Sequence, residues 1–216
     1  MSILKYYSSF SGLAPDIAAM ARYRNSPTLY RPFFWLLWLG SLNDLGSNIC
    51  AHLFRNNLAN SNCWVLIDFC MLLYIFFRWN GSVKRNKYLL LGAIGFVIWV
   101  IDNLVLHTLW KSINSIYRIY YCLVVMFMSV DLINRLIIFE RRKLIRNPQF
   151  LICVSFICFY SFKAFIESFY VFQLSENNPG FGGGLILILK FMNVFSNLIF
   201  TIAILCIPKR QEFSIQ

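Results

Sequence analysis

Charge is what this chain lacks. Asp, Glu, Lys and Arg make up 13% of its 216 residues, about half the share of an ordinary soluble domain. That excludes a water-soluble fold of this size, because 59% of the residues are hydrophobic and Phe alone occurs 22 times. Histidine is nearly absent: only His52 and His107 occur. A histidine-rich metal centre is therefore excluded, and no cofactor is expected. The seven Cys form no C-x-x-C pair, which removes the usual thiol redox and zinc-ribbon motifs. Five of them sit inside apolar runs and read as small hydrophobes. Cys50 and Cys63 stand at the two ends of one polar loop and would pair only in an oxidising compartment.

What the chain does have is long apolar runs, with a mean hydropathy of +0.62. A membrane-spanning helix needs about 20 mostly apolar residues. Seven such segments are read at 3–21, 29–51, 63–79, 88–109, 116–139, 149–174 and 185–207. The expectation is an all-α polytopic membrane protein, a seven-helix bundle forming one integral-membrane domain over 1–216. A membrane β-barrel would alternate over roughly 10 residues per strand, and these runs do not. The first segment is the weakest, because Pro15 and Asp16 interrupt it; they also make it a poor signal peptide. As an interfacial helix it would leave six spans. His52–Asn62 reads as an Asn-rich loop, and Gly180–Gly184 as part of a flexible linker or lid before the last span. That GFGGG stretch lacks the Lys-Ser/Thr of a phosphate-binding loop.

The net charge of +11 suggests nucleic acid at first, but its distribution argues against that. Fourteen of the twenty Lys and Arg fall on one side of the expected topology, in the loops around residues 22–31, 78–87, 135–146 and 209–210. Four (Lys5, Arg55, Lys111 and Arg118) fall on the other, and Lys163 and Lys190 lie within spans. Cytoplasmic loops carry such an excess. The expected placement is a cell membrane of the bacterial inner type, N-terminus outside and C-terminus cytoplasmic. The expected partners are the lipid bilayer and a further membrane protein, not nucleic acid.

Polar residues inside the spans are costly and become functional candidates by default. The stretch Trp99–His107 carries Asp102, Asn103 and His107 within an apolar run. Asp44 and Asn48, Asn103 and His107, and Lys163 and Glu167 are each spaced i, i+4; Lys190, Asn193 and Asn197 follow i, i+3, i+7. Each set shares a helix face. With Asp68, these residues are expected to meet in a polar pocket open to the non-cytoplasmic side. The candidate ligand-binding set is Asp44, Asn48, Asp68, Asp102, Asn103, His107, Lys163, Glu167, Lys190 and Asn193. The competing expectation is that these groups pair between helices and only fix the packing. Lys163 with Glu167, and Asp131 with Arg135, are the pairs such a reading favours.

A lysine in the last of seven spans resembles the microbial rhodopsins, but Lys190 lies about two turns from the outer end and no acid precedes it by one turn. The seven-helix zinc hydrolases of the ceramidase type need three His. The lysoplasmalogenase-type membrane enzymes share only membrane-embedded acids with this chain. Three functions stay open. One is binding, sensing or transport of a small polar or zwitterionic ligand. The second is an accessory subunit of a larger membrane complex. The third is an intramembrane hydrolase using Asp68, Asp102 and His107. No internal repeat or matched pair of broken helices marks a secondary transporter.

Overall fold

The computed structural model describes residues 11–81, 85–106, 110, 113–139, 144–171 and 179–208. Among them are seven α-helices and no strand. We number these α1 (Leu13–Arg22), α2 (Arg31–Phe54), α3 (Leu58–Asn80), α4 (Arg85–Val100), α5 (Ser115–Phe139), α6 (Pro148–Val171) and α7 (Pro179–Cys206). A π-helical turn, Ile101–Leu106, extends α4, and a short 3₁₀ turn, Leu144–Arg146, precedes α6.

Among the described residues, five helices are long and apolar enough to cross a membrane: α3, α4 with its π turn, α5, α6 and α7. The chain is a multi-pass helical membrane protein. The seven expected spans are not all of that kind. The described part of the first, α1, has 10 residues; residues 1–10 lie outside the described set. Helix α2 has the length, 24 residues, but its run Ser41–Asn48 (SLNDLGSN) dilutes its apolar character.

Three loop expectations are corrected. The Asn-rich loop is mostly helix, because α2 runs to Phe54 and α3 starts at Leu58. Its amides are answered by the neighbouring helix: Asn57 Nδ2 donates to Ser47 Oγ at 2.9 Å and Asn60 Nδ2 to Asn43 Oδ1 at 3.0 Å. Arg55 makes the reversal in a left-handed conformation, φ 53°. Cys50 and Cys63, inside α2 and α3, are free thiols. Gly180–Gly184 is neither lid nor linker: Pro179 opens α7 at its first position, where a missing N–H costs nothing.

Helix α5 packs most extensively on α6, α6 on α7, α7 on α1, and α2 on α3. Aromatic rings fill the seams. Phe33, Phe156 and Phe200 meet edge to face at 5.4–6.4 Å, and Phe69 meets Tyr117, Tyr120 and Tyr121 at 5.7–6.2 Å. Such pairs add about 0.5–1.5 kcal/mol each beyond area burial. The outward faces are apolar and bare: Val105 of the π turn, Phe127 of α5 and Ile138 at its end are each more than 70% exposed. In water such faces would aggregate; lipid tails cover them without cost.

One end of the bundle is basic. Arg22 closes α7 there, donating to the carbonyls of Leu205 (3.1 Å) and Ile207 (3.4 Å), a favourable use of a cation at a helix C-terminus. Lys87 pairs with Asp131 at 3.3 Å, and Arg135 donates to Asn80. The expected Asp131–Arg135 pair is thus replaced by two bonds between helices.

Candidate functional site

Between α2 on one side and α6 and α7 on the other lies a half-open cleft of about 740 Å³, which residues of α1 and α3 also line. Helix α2 presents two opposite faces. Trp35, Leu42, Ile49 and Leu53 are exposed apolar residues at heptad-like spacing. Ser41, Asp44, Ser47 and Asn48 lie on the other side of the helix and line the cleft. The polar run that dilutes α2 is therefore the wall of a cavity.

Of the sequence-predicted residues, Asp44, Asn48, Asp68, Lys163 and Asn193 line this cleft. Asp16, Ser41, Tyr160, Ser196 and Asn197 join them and were not in the expected set. Asp16 is buried and accepts the Ser41 hydroxyl proton on Oδ2. Asn197 Nδ2 donates to Ser11 Oγ at 2.9 Å and to Asn193 Oδ1 at 3.3 Å. Ser196 Oγ is buried with no hydrogen-bond partner among the described residues.

The charged centre of the cleft is built from α3, α5 and α6. Tyr121 donates its hydroxyl to Asp68 Oδ2 and also meets the Tyr160 hydroxyl; Tyr160 reaches the same carboxylate oxygen at 3.5 Å. Lys163 Nζ lies 5.1 Å from the ring centre of Tyr121, 5.7 Å from Tyr160 and 5.9 Å from Phe159. The two tyrosines thus serve both charges, hydroxyl to the acid and ring face to the ammonium. Cation–π contacts at these distances are favourable, more so when desolvated.

The remaining predicted residues lie elsewhere. Asp102 and Asn103, both in the π turn, are almost fully buried. Asp102 Oδ2 accepts the backbone N–H of Tyr117 at 2.9 Å, satisfying an otherwise unpaired donor in the first turn of α5. Asn103 Nδ2 donates to the Trp99 carbonyl. Glu167 pairs with Arg118 at 3.5 Å, not with Lys163. Arg118, counted from sequence among the outer-side charges at the start of the fifth span, is half-buried and also donates to Asn114 and Ser61. Lys190 is half-buried on α7, outside the cleft lining. His107 lies outside the described residues, so the Asp68–Asp102–His107 constellation has no described geometry. Among the described residues, no group of three or more His, Cys, Asp or Glu could hold a metal ion.

Comparisons with known proteins return no match: no family model, no curated protein and no solved structure resembles this chain.

Proposed function

We propose that the protein binds a small polar or zwitterionic ligand in the cleft, as a sensor or carrier in the cell membrane. One observation carries this reading. Asp16, Asp44 and Asp68, from three different helices, line a single cavity together with Lys163 from a fourth. Pairing for helix packing alone would leave no space between such groups; here the space is about 740 Å³, within the usual range of small-molecule sites. Three carboxylates against one ammonium make the cleft cation-attracting.

The basic end faces the cytoplasm in this reading, as the positive-inside rule requires. The ligand then enters from the opposite side. Asp44 and Asn48 are exposed, whereas Asp16, nearer the basic end, is buried. Helices α1 and α2 complete a bundle of seven spans with the N-terminus outside.

The test is native mass spectrometry of the protein extracted gently from its own membrane, followed by thermal unfolding with a panel of small polar solutes. A reproducible small adduct, lost in Asp68→Asn or in Asp44→Asn, is the expected result. Asp44 is exposed, so its variant tests the cleft where Asp68→Asn disturbs folding. A chain with no adduct and no stabilising solute overturns the reading.

A second reading, an accessory subunit, draws on α4. Between Arg85 and Val100 it buries only Tyr88 and Gly95, so most of that helix is free to meet a partner helix. A defined assembly with another membrane protein in the same mass spectra would favour it.

A further inference from the structure

Resting on the cleft reading above, we propose that the ligand is a small zwitterion with a methylated ammonium, seated on Asp68 and Trp64, its anionic end turned to Lys163.

Size and donor chemistry narrow the choice first. A bare inorganic cation needs a tight shell of oxygen ligands. The cleft is far larger than that, and among the described residues its acids form no metal-holding group. An organic cation fits the volume.

Two of the cleft's three acids, Asp68 and Asp16, are already engaged; Asp44 on α2 is not part of the proposed seat. Asp68 Oδ2 takes the Tyr121 hydroxyl, and Asp16 Oδ2 takes that of Ser41. A primary ammonium carries three N–H donors, each needing an acceptor. A methylated ammonium needs none; it needs negative potential and aromatic faces, the recurring recognition mode for quaternary ammonium groups. The cleft supplies both, because Trp64, one turn before Asp68 on α3, lines it together with that acid. Lys163 demonstrates the point within the chain, since its own ammonium already rests on ring faces of Phe159 and Tyr160.

Lys163 supplies the anionic half of the argument. It faces the cleft, yet among the described residues it rests on aromatic rings and forms no ion pair with a carboxylate. It acts on Asp68 across the cleft without pairing with it, so a ligand carboxylate can still approach its ammonium. Ser196 Oγ, buried on the α7 wall without a partner among the described residues, offers that ligand one more hydrogen bond.

The probes are glycine betaine, glycine and choline, titrated calorimetrically into the full-length protein in detergent. Glycine betaine should bind about tenfold more tightly than glycine, the factor that a 1.4 kcal/mol cation–π gain produces. It should also bind more tightly than choline, which lacks the anion. Trp64→Leu should erase the preference over glycine, and Lys163→Met the preference over choline, each in a variant that elutes and unfolds like the native chain. Glycine binding as well as betaine, or choline as well as betaine, overturns this inference and leaves the cleft reading standing. So does binding of some other polar solute by a protein that ignores all three probes. If no solute binds at all, both fall.

Discussion

Arg118 of α5 and Glu167 of α6 form a buried ion pair, their side chains 12% and 9% exposed and 3.5 Å apart. The guanidinium also holds Ser61 of α3 at 2.7 Å and Asn114 at 2.9 Å, so one side chain joins three helices. Among the described residues, Glu167 Oε2 finds no hydrogen bond. Removing one partner of a buried pair strands the other charge, at a cost of about 3–5 kcal/mol. Arg118→Met should therefore unfold at a clearly lower temperature in detergent. Arg118→Met with Glu167→Leu should recover much of the loss. Equal unfolding temperatures for the native chain and the single variant would show that the pair holds nothing.

Asp102 has the most conspicuous sequence setting and a structural explanation. Its carboxylate accepts the Tyr117 amide at the start of α5, and loss of such a cap costs about 0.5–2 kcal/mol. Asp102→Ala should lower stability by that order, while Asp102→Asn, which keeps an acceptor oxygen, should lose less. Neither should change the affinity of any solute the cleft binds. An affinity loss in Asp102→Asn at unchanged unfolding temperature would return Asp102 to the ligand site.

Gly95 lets α4 approach its neighbours. A Cβ built there would stand 2.6 Å from Phe69 Cε1 and 3.1 Å from Tyr120 Cε1. Phe69 is fully buried, so the ring has little room to retreat. Gly95→Val should cost about 1–3 kcal/mol by overpacking. Combined with Phe69→Leu the two losses should fail to add, because each substitution relieves or creates the same clash. Simple additivity would mean that the helices part instead of pressing together.

Much of this fold is legible in the sequence. Apolar length gives the helices, since lipid leaves the backbone few other options. The bounds of α5, Ser115–Phe139, differ by one residue at the start from the expected 116–139. The turn between α2 and α3 was not legible, because Asn57 and Asn60 satisfy their amides against α2 rather than against water. The site divides on the same principle. Spacing places Asp44 with Asn48 and Asn193 with Asn197 on common faces, and those faces do meet in the cleft. Periodicity cannot say which helices are neighbours. It pairs Lys163 with Glu167 along one helix, where the fold gives Glu167 to Arg118 and sets Lys163 on the rings of Tyr121 and Tyr160. Nor can it foresee the π turn, in which Asp102 is a helix cap and not a pocket wall. Asp16, beside Pro15 in a weak segment, carried a signal only in its cost: an acid in an apolar stretch needs an answer, and Ser41 supplies it.

The side on which a ligand meets the cleft follows from orientation, and orientation can be measured. Arg55 is exposed in the turn between α2 and α3, and Arg146 is exposed at the opposite, basic end. With the basic end in the cytoplasm, Arg55→Cys should react with a membrane-impermeant maleimide added to intact cells, and Arg146→Cys only after permeabilisation. The native chain is the control. Its exposed Cys63 and Cys70 lie on α3, and any labelling they take up is subtracted. An epitope tag ahead of Met1 separates the two span counts: accessible outside for seven spans, inside for six. Labelling of Arg146→Cys in intact cells would invert the bundle. The cleft mouth near Asp44 and Asn48 would then face the cytoplasm, and any ligand would have to be a cytoplasmic solute.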